Sequence, residues 1–260
     1  MSDDIRPLMD DWPYDPAEEI MVRRIVGHDG QPRLQVRVEL GILELHISGR
    51  PDGRSPFGFP TLLDYHLDRA KRELKQGDGD RFELSHPECR ELQREAMQFY
   101  HRRVSWMRLG EFAQAAADAE HNLAIMDLLR ERASDREDWL ESEQYRAFVM
   151  SHLARARALD LLNQNQREAA IDALDEGIET IEAIFRQDYE RPELVDHNTD
   201  LQGLRDLRRS LIERPHAPMG IRRESERERL MRELAAAVEQ EEYERAAQLR
   251  DALEQLRSQA

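Results

Sequence analysis

The feature that most constrains the fold of this chain is the stretch of residues 85–214, in which apolar residues recur at intervals of three and four. Residues at that spacing lie on one face of an α-helix, so the pattern predicts amphipathic helices along the whole stretch. Helix-breaking residues interrupt it at Gly110, at residues 163–165 and at Pro192. The sequence therefore predicts a mainly α protein, built as an antiparallel helical array over residues 80–214.

Local signals place the helices within this stretch. Ser85 and Glu88 form a capping box with Pro87 in the first turn, which marks a helix start because the box satisfies backbone N–H groups that lack a partner inside the helix. The predicted helices cover residues 85–108, residues 111–132, the segment from after Asp135 to about Leu162, residues 167–185 and a last segment after Pro192. Their inward-facing positions are expected to be Leu92, Ala96, Phe99, Tyr100, Phe112, Ala115, Ala119, Leu123, Met126, Ala170, Ile171, Leu174, Ile178, Ile181, Leu201, Leu204, Leu207 and Leu211.

Two smaller parts precede the array. Residues 1–20 contain five aspartates and three prolines with little periodicity. This composition indicates an acidic, mobile arm, and Trp12 and Tyr14 are the residues that would dock it. Residues 21–79 are expected to form a small region made of a β-hairpin and a helix.

The β-hairpin is predicted from an Asp-Gly turn at residues 28–32 between two apolar segments. In the second segment the alternation of apolar and polar residues changes phase at Gly41, so we expect one long strand with a β-bulge there. A helix follows from Thr61 to Gln76. Its inward-facing residues are expected to be Leu62, Leu63, Leu67, Ala70 and Leu74.

Two helix pairs of the array resemble tetratricopeptide repeats. The Gly-Glu-Phe-x-x-Ala run at residues 110–115 and the Asn-Gln-Arg-x-x-Ala run at residues 165–170 stand where that family turns from the first helix of a repeat to the second. The two turns are 55 residues apart, whereas the family repeats at about 34. Arg102 and Arg103 also replace the Leu-Gly pair of the first helix. The resemblance implies a tetratricopeptide-like scaffold, and an ordinary helical bundle is the alternative.

A second helical segment is predicted near the C-terminus. Proline and glycine break the pattern at residues 215–220, which indicates a linker over residues 215–224 and a helical hairpin over residues 225–257. Ser225 and Glu228 form a capping box at its start, and the acidic residues 239–242 suit a turn followed by a helix N-terminus. A segment this short falls below the roughly 40 residues at which a lone core usually suffices. We therefore expect a mobile hairpin that needs a second surface.

This hairpin resembles the UVR motif, which occurs in the excision-repair subunits UvrB and UvrC and in the Clp-associated proteins McsA and ClpC. The resemblance is carried by Leu230, Leu234, Ala237, Glu242, Tyr243, Ala246, Ala247, Leu249, Arg250, Asp251, Leu253 and Leu256. It implies a hairpin that pairs with another such hairpin or with a partner protein. The expected protein-contact residues are Leu230, Leu234, Val238, Tyr243, Ala246, Ala247, Leu249, Arg250 and Leu253.

The balance of charge narrows the class of partner. The net charge is −16, and it is negative in each part of the chain, at −5 over residues 1–80, −9 over 81–220 and −2 over 221–260. Nucleic-acid affinity rests largely on basic residues that neutralise phosphates, so we expect no direct binding of DNA or RNA. If a basic patch that binds nucleic acid exists, its first candidate residues are Arg205, Arg208 and Arg209. Cys89 is the only cysteine and no long apolar run occurs, which predicts a disulfide-free cytoplasmic protein without a membrane span.

Motifs for catalysis are missing from the sequence. The nine histidines show no His-x-x-x-His spacing, and the sequence contains no Gly-x-Gly-x-x-Gly, Walker or Gly-x-Ser-x-Gly motif. We therefore expect no cofactor and no metal, and Cys89 is expected to be a structural thiol. The leading hypothesis is a non-enzymatic interaction or adaptor protein whose partner is a UVR-containing protein, a Clp-type protein or its own copy. The alternative is an accessory factor of nucleotide excision repair that acts through UvrB or UvrC, and an enzyme ranks third.

Overall fold

The computed structural model describes residues 4–18, 20–76, 82–213 and 250, and the described part is mainly helical. The helices are α1 (Arg6–Asp10), α2 (Leu62–Gln76), α3 (His86–Leu109), α4 (Phe112–Arg132), α5 (Arg136–Glu143), α6 (Arg146–Asn163), α7 (Arg167–Ala183) and α8 (Thr199–Glu213). The strands are β1 (Met21–Val26), β2 (Pro32–Val38) and β3 (Gly41–His46). Short turns of 3-10 helix lie at Pro56–Gly58 and Pro192–Leu194, and a π-helical turn lies at Ile184–Asp188.

The chain divides into two units, residues 1–217 and residues 218–260. The elements given above all belong to the first unit. In the second unit the structure describes Arg250, which is helical and exposed. None of the described helices has the combination of length and apolar character that crossing a bilayer requires.

The N-terminal sheet has three antiparallel strands in the order β1-β2-β3. The prediction of one long strand with a bulge at Gly41 was wrong. The chain reverses at residues 39–40, and a third strand begins at Gly41. Val38 pairs directly with Gly41 across this turn. Directly paired residues point to the same face of a sheet, so the two share a face although they are three positions apart. The change of phase in the sequence was the signal of a second turn.

One face of the sheet packs on the helical array. The pairs Leu34–Leu45 and Val36–Leu43 lie side by side on β2 and β3. They join a single apolar cluster with residues of α3, α4 and α6, whose buried members there are Trp106, Ala115, Ala116, Ala119, Met126, Val149, Leu153 and Ala156. The sheet is therefore part of the same core as the helices.

The N-terminal segment contacts the sheet through Trp12. The guanidinium of Arg23 lies 4.2 Å from the centre of the Trp12 ring. Arg37 Nε donates a hydrogen bond of 2.8 Å to the Trp12 carbonyl oxygen. Trp12 thus docks the segment, as the sequence suggested. Tyr14 lies farther away, with the Arg37 guanidinium 5.9 Å from its ring.

The helical array consists of packed helix hairpins. The capping box of Ser85 and Glu88 begins α3, as predicted, and Gly110 ends it in the left-handed conformation, with φ at 71°. The α3–α4 and α6–α7 pairs pack along their lengths, α4 packs on α6, and α8 packs on α7 and α6. Buried residues lie in every long helix of the array. This arrangement is the helical array that the sequence predicted.

The segment after Asp135 is two helices, whereas the sequence predicted one. Helix α5 ends at Glu143, and Tyr145 stands immediately before α6. The Tyr145 N–H bonds to the Ser142 carbonyl at 3.0 Å, which closes a tight turn in place of a further helical turn. The Tyr189 hydroxyl donates to the Glu143 carbonyl at 2.5 Å, so a side chain from beyond α7 contacts the end of α5. Because this segment lacks glycine and proline, its local sequence does not mark the break.

Helix α2 packs through a face that differs in part from the predicted one. Leu62 and Leu63 are buried as expected, whereas Leu67 is 37% exposed and His66 is buried in its place. His66 follows Leu62 by four positions, so the two lie on one helix face. Leu62 and Leu63 belong to an apolar cluster that also contains Cys89, where burial raises the pKa of the thiol to about 12. Cys89 is therefore a structural thiol.

Candidate functional site

Nearly all of the predicted protein-contact residues lie outside the described residues. This holds for Leu230, Leu234, Val238, Tyr243, Ala246, Ala247, Leu249 and Leu253. Arg250 is described, and it is exposed. The structure therefore leaves the prediction for the hairpin surface untested.

The first unit contains a groove of about 650 Å³ between α3, α4 and α6, closed at one side by the α5–α6 turn. Its walls are mostly apolar or aromatic and include Met97, Tyr100, Tyr145 and Phe148. Met97 and Tyr145 are more than half exposed and stand at the opening. Pockets of roughly 300–1,000 Å³ with apolar walls and a few polar groups are typical of small-molecule sites.

Arg103, on α3, is the charged residue in the wall that is most deeply buried, at 1% exposed. Its Nε and Nη1 atoms have no hydrogen-bond acceptor. The guanidinium instead lies against two rings of the groove, 5.5 Å from the centre of Tyr100 and 5.8 Å from that of Phe148. Burial lowers the pKa of Arg103 to about 10, which leaves the side chain protonated at neutral pH.

The nearest carboxylate is committed to the neighbouring arginine. Asp118, on α4, accepts hydrogen bonds from Arg102 Nε at 2.9 Å and from Arg102 Nη2 at 2.7 Å, so both of its oxygens are engaged. Arg102 also donates from Nη1 to the carbonyls of His46 and Gly49, at 3.0 and 2.8 Å, which ties the end of the sheet to α3. Adjacent arginines thus have different environments. Every side-chain nitrogen of Arg102 donates a hydrogen bond, whereas Nε and Nη1 of Arg103 do not.

Two further polar groups near Arg103 have unsatisfied atoms. Asn122, on α4, lines the groove with its Oδ1 atom buried and without a partner. His152, on α6, packs its ring 4.3 Å from that of Phe148, and its Nδ1 atom also has no partner. Burial first, and then the charges of Arg103 and Arg155, lower the pKa of His152 to about 4, so the imidazole is neutral at physiological pH. The neutral imidazole adds no second positive charge beside Arg103, and it supplies no negative charge to Arg103 either.

Sequence reasoning missed this groove. Arg103, Asn122 and His152 come from three different helices, and only tertiary packing brings them together. One signal was present in the sequence. Arg102 and Arg103 occupy the positions at which a tetratricopeptide helix would have its Leu-Gly pair, so two charges stand where small and apolar side chains would pack.

The arginine cluster suspected of binding nucleic acid is neutralised by neighbouring carboxylates. Arg205 lies 2.6 Å from Glu182, and Arg209 lies 3.0 Å from Asp206. Arg208 pairs with Asp175. Each cation in the cluster already has an acidic partner within the first unit.

Comparison with known proteins identifies the C-terminal segment. Residues 224–259 match the family described as the UvrB/uvrC motif, UVR, which confirms the resemblance stated from the sequence. In known proteins this motif mediates protein–protein interaction. The match covers 36 of the 260 residues. No curated protein and no solved structure matches the chain, so the tetratricopeptide-like interpretation of the array stays a prediction.

Proposed function

We propose that the protein is a non-enzymatic adaptor of the cytoplasm, in which a helical body carries a C-terminal UVR hairpin that docks on a partner protein or on a second copy. The observation that carries this proposal is the UVR match at residues 224–259. The proposed contact surface is centred on Tyr243 and the small Ala246–Ala247 face. There the family resemblance and the apolar stripe of the second hairpin helix coincide.

The length and pattern of the hairpin support a docking role. The sequence predicts two short amphipathic helices with one apolar stripe each, and a segment of this size is expected to bury too little surface to hold a fixed structure alone. A second apolar surface would complete it. Small residues such as Ala246 and Ala247 let a neighbouring backbone approach closely, which suits helix-on-helix packing.

The distribution of charge supports a protein partner over a nucleic acid. Every part of the chain has a negative net charge. The arginines of the suspected cluster are paired with carboxylates. We expect no submicromolar binding in fluorescence anisotropy with duplex and single-stranded oligonucleotides. The measurement is made at about 150 mM salt, an ionic strength that strongly screens interactions between exposed charges. Binding that is tight and weakens with salt would contradict the adaptor proposal and favour direct action on DNA.

A co-purification experiment tests the proposal. The tagged full-length chain and a chain that lacks residues 221–260 are used as baits, and the retained proteins are identified by mass spectrometry. Self-association of both chains is measured by sedimentation velocity. We expect partner retention or self-association with the full chain only. Retention of UvrB or UvrC would favour the alternative, an accessory role in nucleotide excision repair, over other partners.

A matched pair of point variants locates the contact. Ala247→Arg places bulk and charge on the small face, and we expect association to weaken at least tenfold, about 1.4 kcal/mol. Gln248→Arg makes the same change of charge one position away, off the apolar stripe, and should leave association within about twofold. Equal effects of the two variants, or none, would show that this face does not form the contact. The far-ultraviolet circular dichroism of both variants should match that of the parent chain.

A further inference from the structure

Two nitrogens of the Arg103 guanidinium are buried in the first unit without a hydrogen-bond acceptor. An arginine side chain carries five N–H donors, and buried polar groups in folded proteins nearly always have partners. Nε and Nη1 of Arg103 have none, since both oxygens of Asp118 accept from Arg102 and Asp118 acts on Arg103 only through its charge. The remaining titratable groups packed around Arg103 are His152, which is neutral, and the Tyr100 phenol.

Burial of the Arg103 charge has a desolvation cost that its contacts within the protein do not fully offset. Moving an unpaired charge out of water has an effective cost of several kcal/mol per ion. The contacts of Arg103 with the rings of Tyr100 and Phe148 recover only part of that cost. An anion held against the guanidinium would supply the missing charge-assisted hydrogen bonds, which are roughly twice as strong as neutral ones.

The groove supplies the rest of a binding site. Arg103 forms part of its wall, and Asn122 lines the same wall with its buried Oδ1 atom unpartnered. Side chains such as Met97, Met126 and Phe148 provide apolar surface in the same groove. A ligand that fits has one anionic group at one end and an apolar body.

We propose that this groove binds a small organic acid, with its carboxylate on the Arg103 guanidinium and its apolar body against Met97, Met126 and Phe148. The proposal stands independently of the UVR hairpin and concerns the first unit alone. Arginine suits this role because its planar fork matches the two oxygens of a carboxylate.

The charges of the groove favour a carboxylate over a phosphate ester. Among the described residues that line the groove, Arg103 is the one basic side chain, and Glu141 adds a negative charge to the wall. A phosphate monoester carries about 1.5–2 negative charges at neutral pH. The single charge of Arg103 can balance a monoanion, whereas a dianion would stay partly uncompensated and would be repelled more strongly by Glu141.

The test uses the full-length protein and small probes of matched shape. 4-Phenylbutyrate and octanoate are titrated by isothermal calorimetry and ligand-observed NMR, and 4-phenylbutanamide and 4-phenylbutylamine serve as the neutral and cationic controls. We expect at least one acid to bind, and to bind at least tenfold more tightly than the amide or the amine. Equal affinities for acid and amide, or failure of both acids to bind at 10 mM, would overturn the proposal.

Three variants assign the binding to Arg103. Arg103→Met keeps the length of the side chain and removes the charge, and it should lower the affinity for the acid to that for the amide. Arg103→Lys keeps the charge and should retain a preference for the acid, which also guards against a folding defect in the methionine variant. Arg94→Met is the matched control, because Arg94 lies on the same helix with a side chain that is 70% exposed and paired with Glu91. A preference for the acid that persists in Arg103→Met would place the site elsewhere and contradict the proposal.

Thermal melting gives a second readout. Without ligand, Arg103→Met should melt at the same temperature as the parent chain or higher, because replacing an unpaired buried charge by an apolar side chain removes its desolvation cost. The acid should raise the melting temperature of the parent chain and leave that of Arg103→Met unchanged. A lower melting temperature for Arg103→Met, together with equal shifts by the acid in both proteins, would indicate that Arg103 has a purely structural role.

Discussion

Glu95 caps a helix to which it does not belong, since its Oε2 atom lies 2.7 Å from the backbone nitrogen of Leu62, the first residue of α2. Its Oε1 atom accepts from the Leu63 N–H and from His121 Nε2, both at 3.1 Å. Burial alone would raise the pKa of Glu95, but these hydrogen bonds outweigh it and hold the pKa below its usual value. The side chain of Glu95 is therefore an ionised cap supplied by α3.

Removing this cap should destabilise the first unit. Glu95→Ala leaves two buried N–H groups without acceptors, each at a cost of about 1–3 kcal/mol, so we expect a total loss of about 2–6 kcal/mol in the free energy of unfolding. Glu91→Ala, one turn earlier on α3 with a side chain that is 47% exposed, is the control and should change stability by less than about 0.5 kcal/mol. Urea denaturation measures both. Similar midpoints for the two variants would show that the cap contributes nothing.

His152 should make the stability depend on pH between about 4 and 6.5. Its pKa in the folded protein is about 4, below the value of about 6.5 in an unfolded chain. The unfolded state therefore binds the proton first, and the contribution of His152 is complete above pH 6.5 and declines as the pH falls. The slope approaches about 1.4 kcal/mol per pH unit.

Comparison with a variant isolates this effect, because other groups also titrate in the same range. His152→Gln removes the titrating group, so the difference in unfolding free energy between parent and variant should shift in favour of the variant from pH 7 to pH 4.5. Urea denaturation at three pH values measures it. A constant difference would mean that His152 is protonated as easily in the folded state as in the unfolded chain.

Gly177, on α7, packs tightly against Ala154 on α6. A Cβ atom at this position would overlap the Cβ of Ala154. We expect Gly177→Ala to destabilise the protein by about 1–3 kcal/mol through overpacking, although alanine favours helix by about 1 kcal/mol. Gly203→Ala is the control, since its Cβ would meet only the mobile end of Arg155, 3.2 Å away. That change should be neutral or stabilising in thermal melts, and the reverse order would refute the packing argument.

The two units are expected to fold separately. A fragment that ends at residue 217 contains the described core and should melt cooperatively at the same temperature as the full chain. A peptide of residues 221–260 should be largely unfolded when dilute and gain helix on self-association or on addition of a partner. Circular dichroism over a range of concentrations tests both statements. A peptide that is helical and monomeric at micromolar concentration would contradict the view that the motif is completed by another surface.

The sequence predicted those features that local chemistry determines. Ser85 and Gly110 mark the bounds of α3 through capping and the left-handed conformation, and both predictions were right. The break between α5 and α6 depends on contacts from distant residues such as Tyr189. The apolar periodicity of the sequence continues across the break, so the sequence predicted one helix there. His66 is buried where Leu67 was expected, because the orientation of a helix is decided by what packs on it. Arg103 was visible in the sequence as a charge at a packing position, but its missing partner appears only in three dimensions.

The contacts of Arg102 bear on the order in which the first unit assembles. Its hydrogen bonds span 16 residues to Asp118, 53 to Gly49 and 56 to His46. Closing the longer loops costs more chain entropy, and contacts between distant residues tend to form late. We expect the α3–α4 hairpin to assemble first and the sheet to join it afterwards. Loss of the bonds from Arg102 to the sheet should then speed unfolding and leave the folding rate nearly unchanged.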